Sequence, residues 1–220
     1  MFASDLLTNH ILPLRTSDTL QNAVDRMMDF RVNHLPIVNE SDLLGLISDT
    51  DLVEQPDYSL PLGSLALGIT YSYVFDHQHA FDVFKMISAQ KLTLVPVVDS
   101  QKRFLGSITL DKMVEYGGIL TSAIQPGSIL VIESSENNYS ISEISQILES
   151  NQCQILSLHV NSSPDSRKVL ITLKLNKSEI SAELSALARY NYQVSFTQQE
   201  TGFHDEAQER FESFMNYLNM

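Results

Sequence analysis

Two stretches about sixty residues apart carry the same pattern, and this duplication constrains the fold more than any other feature of the chain. "HLPIVNESDLLGLISDTDL" spans residues 34–52, and "LVPVVDSQKRFLGSITLDKM" spans residues 94–113. Pro36 aligns with Pro96 and Gly45 with Gly106, which gives a period of 60 or 61 residues. The agreement extends upstream. "LQNAVDRMMDFRV" places Leu20, Ala23, Val24, Met27 and Met28 at helical spacing, with Asp18 as a candidate N-cap. "AFDVFKMISAQKL" puts Ala80, Val83, Phe84 and Ile87 at the matching positions. After each helix come a short apolar strand, a polar turn, a second strand, and another helix starting near Thr50 and near Leu110. Each unit therefore reads β-α-β-β-α. Strands this short bury little surface in one unit, and two units packed together make a core.

Composition limits what such a core can serve. Of the 220 residues, 43% are hydrophobic and 19% charged, an ordinary soluble globular balance. A single cysteine, Cys153, excludes an intramolecular disulfide and a four-cysteine zinc site, and it reads as a small core or strand residue. The opening "MFASDLLTNH" has an acid where a signal peptide needs a basic start, and no apolar run approaches the ~20 residues of a membrane helix. The expected location is cytoplasmic. The net charge of −13 argues against nonspecific nucleic-acid binding and against anionic membranes, though not against one small anionic ligand in a pocket with its own field.

The duplicated "hPhV" followed by "hhG-h-h-[ST]-x-x-D", at this period and in this element order, resembles the CBS domain family. The resemblance covers about residues 1–116, with repeat 1 at about 1–55 and repeat 2 at about 60–116. It implies that the two repeats form one module with two clefts related by a pseudo-twofold axis. It also implies a regulatory ligand such as AMP, ADP, ATP or S-adenosylmethionine, with no required cofactor.

Within "GLISDTD" (residues 45–51), Ser48 ends the second strand and Asp51 falls in the first turn of the next helix. A hydroxyl and free N–H groups at a helix N-terminus favour a phosphate, and a carboxylate can accept two hydrogen bonds from a ribose diol. The resemblance implies those roles for Ser48 and Asp51, with Leu46 and Thr50 beside them. The alternative is that Ser48 caps the helix and Asp51 balances its dipole. A ligand role for Asp51 implies that Asp51→Ala leaves the ligand-free melting point nearly unchanged. The resemblance adds residues 71–73, including Tyr73, and Leu92 and Thr93 to this first cleft. It places His34 near phosphates, where the alternative is a solvent-facing turn residue. The second cleft keeps Gly106 and Thr109 but has Lys112 at the acid position, with Asp111 one residue early. A lysine can pair with a phosphate but cannot accept from a diol. Asp111, turned by about 100° on the helix, cannot simply substitute. The clefts are therefore expected to be unequal: the Ser48 side is the better nucleotide candidate, and the Thr109 side is degenerate or suits another ligand. His77 and His79 are two apart, share no helical face, and lack a Cys, Asp or Glu cluster.

Beyond a Gly-, Ser- and Pro-rich linker expected at 117–128, the pattern over 129–199 reads β-α-β-β-α-β, a ferredoxin-like sandwich. Ser140 is a candidate cap, and Ile141, Ile144, Ile147 and Leu148 follow at helical spacing. The second helix carries Ile180, Leu184, Leu187 and Ala188, and His159 reads as an exposed or satisfied sheet residue. In order and length this part resembles the ACT domain family. However, "SSENNYS" lacks the glycine of amino-acid-binding members, which favours a dimerisation role. The CBS–ACT combination is similar to the AcuB-like proteins. Residues 200–220 form an amphipathic stripe through Phe203, Ala207, Phe211, Phe214, Met215 and Leu218. The expected fold class is α+β: tandem CBS repeats, an ACT-like domain and a C-terminal helix. The expected function is ligand sensing by a homodimer that acts on another protein. The alternative is a structural module with empty clefts. No nucleophile–base pair, metal cluster or glycine-rich phosphate loop points to catalysis.

Overall fold

The computed structural model describes residues 1–8, 10–53, 55, 57–64, 72–135, 138–162 and 168–199. The C-terminal stripe expected at 200–220, residues 65–71 with Tyr71, and most of "SSPDS" lie outside the described residues. The chain divides into two units, Met1–Tyr116 and Gly117–Met220.

The first unit is built twice from the same parts. Helix α1 (Leu20–Phe30) leads to strands β1 (His34–Asn39) and β2 (Asp42–Ser48) and the short helix α2 (Asp49–Val53). The second copy runs β3 (Val74–Phe75), α3 (Ala80–Gln90), β4 (Leu94–Val98), β5 (Phe104–Thr109) and α4 (Leu110–Leu120). Strand β3 pairs parallel to β4 through Val74 and Val97. Its counterpart in the first copy is a single parallel bridge, Leu14 to Ile37. Both antiparallel pairs carry a bulge at the same place, Ile37/Val38 and Val97/Val98, opposite Gly45 and Gly106. The two glycines have φ of +148° and +156°, which L side chains rarely adopt. A Cβ on Gly106 would also lie 3.0 Å from Leu7 Cδ2.

The leading segments of the two copies are exchanged. A 3-10 turn at Ala3–Leu6 docks on the second copy: the Ala3 amide donates to Gln78 O at 2.8 Å, Phe2 bridges His79, and Thr8 bridges Ser107. Sixty residues later, the 3-10 turn Leu62–Ser64 docks on the first copy. There the Leu62 amide donates to Asp18 O at 2.8 Å, and Pro61 bridges Thr19. The core between them includes Leu6, Leu14, Leu20, Leu35, Ile47, Leu94, Ile108 and Met113, all fully buried.

Local details depart from the sequence reading at several points. Thr19 caps α1, accepting from the Asn22 amide at 3.2 Å. Asp18 instead accepts from the Arg15 amide and pairs with Arg26 at 3.4 Å. Met28 is 71% exposed rather than part of the core face. Residues 117–120 are helical, because α4 continues through Gly117 and Gly118 before the chain leaves it. His79 caps α3 through the Phe81 amide at 3.3 Å, and His77 pairs with Asp76 at 3.0 Å.

The second unit is a four-stranded antiparallel sheet of order β7-β8-β6-β9, from β6 (Ser128–Ser135), β7 (Ile155–Ser162), β8 (Lys168–Leu175) and β9 (Gln193–Gln199). Helices α5 (Ile141–Ser150) and α6 (Ser181–Arg189) complete a ferredoxin-like βαββαβ order. Ser140 caps α5, accepting from the Glu143 amide at 3.2 Å. Cys153 is fully buried beside Ile144, Leu148 and Leu187, and burial pushes its thiol pKa up. Two polar groups break the expected pattern. Glu183 is 1% exposed and pairs with Lys177 at 3.0 Å. Among the described residues, His159 Nε2 is buried without a hydrogen-bond partner.

Gly106→Ala is expected to destabilise the first unit by about 1–3 kcal/mol, the cost of forcing an L side chain into that backbone region. A urea titration of the full chain that shows no fall in its midpoint would contradict this.

Candidate functional site

The bulged strand pairs end in helix N-termini, and the strand-to-helix junctions face cavities. In the first copy, His34, Leu46, Ser48, Asp51, Gln90 and Leu92 line a cavity of about 240 Å3. In the second copy a cleft of about 520 Å3 is lined by Leu7, Thr8 and His10 of the exchanged segment, and by Phe30, Arg31 and Val32 at the end of α1. Thr93, Thr109, Leu110, Asp111, Lys112 and Glu115 complete it. Small-molecule pockets run to about 300–1,000 Å3, so the Thr109 cleft has the volume for a nucleoside. The positions of the second copy that correspond to residues 7–10 are 67–70, which lie outside the described residues.

Ser48 and Asp51 meet each other first. Asp51 Oδ2 accepts from the Ser48 amide at 2.8 Å and from Ser48 Oγ at 2.6 Å, while the Asp51 amide donates back to Ser48 Oγ at 3.3 Å. This is a reciprocal cap in the manner of a capping box. Thr50 is exposed and its hydroxyl shares a 2.8 Å hydrogen bond with Ser48 Oγ. The pair expected to hold phosphate and diol is thus engaged in closing the start of α2. This cap predicts that removing Asp51 costs ligand-free stability, where the ligand role alone predicts little change.

The Thr109 junction keeps only half of that arrangement. The Lys112 amide donates to Thr109 Oγ1 at 3.2 Å, but no carboxylate reciprocates, because Lys112 stands where Asp51 stands in the first copy. Lys112 Nζ pairs with Glu115 at 2.8 Å on the surface. Exposed pairs of this kind are worth at most ~1 kcal/mol, so the ammonium is available to a better anion. Arg31 enters the cleft from a left-handed C-cap at φ +55°, a conformation that Lys91 repeats in the second copy. Asp111 also lines the cleft, one residue before Lys112.

Of the residues singled out from sequence, His34, Leu46, Ser48 and Asp51 share one cavity, and Thr93 and Thr109 share the other. Tyr73 lies apart from both, in a recess with Leu43, Val98 and Lys102. His34 is half-buried rather than a solvent-facing turn residue. Its Nδ1 is 3.0 Å from Thr93 Oγ1, and burial lowers its pKa while Asp49 and Asp51 partly restore it. Sequence reasoning missed Thr8, His10 and Arg31. Arg31 and Lys91 could have been found as basic residues one repeat apart, whereas residues 8 and 10 reach the site only through the segment exchange. Among the described residues no cluster of three or more His, Cys, Asp or Glu could hold a metal ion, and no helix is long and apolar enough to cross a membrane.

Residues 3–57 and 71–118 match the family model for the CBS domain, so the first unit is a tandem CBS pair. Solved structures similar to the chain include a CBS domain pair/ACT domain protein from Thermotoga maritima, at 17% identity over 53% of this chain and 95% of that one, TM-score 0.48. A putative acetoin utilization protein (AcuB) from Vibrio cholerae is 24% identical over 53% of this chain and 90% of that one, TM-score 0.47. CBSX2, solved in complex with AMP, is 21% identical over 53% of this chain and 95% of that one, TM-score 0.46.

Asp51→Ala should lower the ligand-free unfolding free energy by about 1 kcal/mol, the usual cost of a lost cap. An unchanged urea midpoint would return Asp51 to a purely ligand-facing role. For His34 the folded pKa lies below the unfolded value of about 6.5. Its contribution to stability is therefore complete above that value and is lost as pH falls through the folded pKa. Acidification from pH 7 to 5 should lower the urea midpoint less in His34→Leu than in the wild type, and equal losses would contradict the assignment.

Proposed function

We propose that this tandem CBS chain is a regulatory sensor that takes an adenine nucleotide, or a related adenosyl compound, in the Thr109 cleft. One observation carries the reading. In a chain of net charge −13, Arg31, Lys112 and His10 line a cleft of about 520 Å3 at a helix N-terminus, together with Asp111 and Glu115. Hydroxyls from Thr8, Thr93 and Thr109 surround the same space, and Phe30, Leu7 and Val32 supply apolar wall for a base. The Thr109-capped start of α4 and the two cations suit a phosphate, since a helix N-terminus favours anions and guanidinium binds them in two-pronged fashion. Asp111, which also lines the cleft, would be the acceptor for sugar hydroxyls. AMP, ADP, ATP and S-adenosylmethionine are the ligands the CBS resemblance suggests. The phosphorylated ones suit the cations best.

The output would pass through a protein contact. Met28 and Val53, 71% and 74% exposed, flank a groove of about 510 Å3 between α1 and α2 that Val24, Met27, Leu52 and Tyr58 also line. Exposed apolar surface of this kind marks interaction sites, and we read it as the face on which a second copy pairs. This would make the working form a homodimer, with the ferredoxin-like unit as a further pairing module.

Isothermal titration of the full chain with AMP tests the sensor reading. Arg31→Ala and Lys112→Ala should each weaken binding by roughly tenfold or more, as expected when a charged hydrogen bond of about 1.5–3 kcal/mol is lost. The reading fails if AMP, ADP, ATP and S-adenosylmethionine all give no heat, or if both variants bind like the wild type. Light scattering tests the pairing: Val53→Glu should yield monomer, and an unchanged mass would move the interface elsewhere.

A further inference from the structure

The two junctions are joined by a continuous hydrogen-bond chain that neither the family match nor the sensor reading requires. The Leu110 amide, first in α4, donates to Thr93 O at 2.8 Å. The Thr93 amide donates to His34 Nδ1 at 3.3 Å. The Asn33 amide donates to Thr93 Oγ1 at 2.9 Å, and that hydroxyl is 3.0 Å from the same His34 Nδ1. Finally, the Asp49 amide, first in α2, donates to Asn33 O at 2.9 Å. The start of α4, at the Thr109 cleft, is thereby wired to the start of α2, at the Ser48 cavity.

The chemistry of the chain fixes a protonation state. Nδ1 of His34 receives the Thr93 amide, so it must be the acceptor nitrogen. The Thr93 hydroxyl, which already accepts from Asn33, then gives its own proton to Nδ1. The neutral imidazole therefore carries its proton on Nε2. Protonating Nδ1 would set a donor against the Thr93 amide and break that contact, while the Thr93 hydroxyl, which keeps a second lone pair after accepting from Asn33, would turn from donor to acceptor. The charged groups facing the ring are Asp49 and Asp51 of α2, while the second copy contributes the neutral Gln90, Leu92 and Thr93. The counterpart of His34 in the second copy is Leu94, so only one of the two junctions carries this group.

We propose that the His34–Thr93 contact couples the two clefts: a ligand that shifts the start of α4 is felt at Ser48 and Asp51, and protonation of His34 breaks the amide link and reverses the hydroxyl link between them. Thr93 is suited to this because it lines the Thr109 cleft with one side and grips His34 of the other cavity with its amide and hydroxyl. Coupling here means a two-way bias between sites, since an effect of one on the other is reciprocal in free energy. As a statement about ligands this rests on the sensor reading, whereas its protonation part does not.

Nitrogen-15 NMR of the full-length protein tests both parts. Without ligand, the neutral His34 ring should show the Nε2–H tautomer, and an Nδ1–H ring overturns the proposal. On titration from pH 8 to 5, protonation of His34 should shift the amide signals of Leu110 and Lys112 along with those of Ser48 and Asp49. In Thr93→Val the Leu110 and Lys112 shifts should fall at least threefold, and Thr93→Ser, which keeps the hydroxyl, should retain the wild-type response. Equal shifts in wild type and Thr93→Val, or loss in Thr93→Ser as well, overturn the coupling. With AMP as the probe, the His34 and Ser48 signals should move at the same half-saturation as Lys112. Movement confined to Lys112 and Thr109 overturns the coupling and leaves the sensor reading intact. If AMP, ATP and S-adenosylmethionine move no signal, the sensor reading fails and the proton titration alone decides the coupling.

Discussion

The reciprocal exchange of leading segments holds the first unit together and creates its clefts. Each β-β-α core is too small to bury its own strands, and each sends its first residues across to the other. Ala3–Leu6 docks beside Gln78 and His79, and Leu62–Ser64 beside Asp18 and Thr19. The exchange covers the apolar faces that a lone repeat would leave in water, so the hydrophobic effect acts on the pair rather than on either half. It also dictates where ligands can enter. A crossing segment followed by the partner's strand-to-helix junction is a groove by construction, and Thr8 lies over Ser107 in such a place.

The two grooves start from the same geometry and diverge through one substitution of charge. Asp51 in the first copy turns back on Ser48 and satisfies the donors of its own helix start. Lys112 in the second copy cannot accept a hydrogen bond, so Thr109 caps alone. Arg31, from the end of α1, lines the same groove, where its charge and that of Lys112 stand beside Asp111 and Glu115.

Much of this was legible in the residues, and the limits are physical. The period marked by Pro36 and Pro96, with Gly45 and Gly106, identified both strand pairs, because a bulge requires glycine and a buried strand requires an apolar run. The same pattern gave the order of the second unit and its Ser140 cap. The exchanged turns were not legible, since three or four residues carry no periodicity of their own and their partners lie sixty residues or more away. Nor could the sequence tell that Asp51 would spend its carboxylate on Ser48, because a cap and a ligand site share one spelling. Glu183 was missed because a charged residue on a helix reads as solvated, and only the fold shows Lys177 waiting for it. Arg31 was missed because a helix C-cap is not where phosphate contacts are sought.

A crystal structure of the full chain grown with AMP tests the central claim most directly. The account predicts nucleotide density between the Leu7–His10 side and the start of α4, with the phosphate within hydrogen-bond distance of Thr109 Oγ1 and the Lys112 or Arg31 side chain. Density in the Ser48 cavity with Asp51 swung away from Ser48 would contradict it, as would a Thr109 cleft that stays empty at saturating AMP.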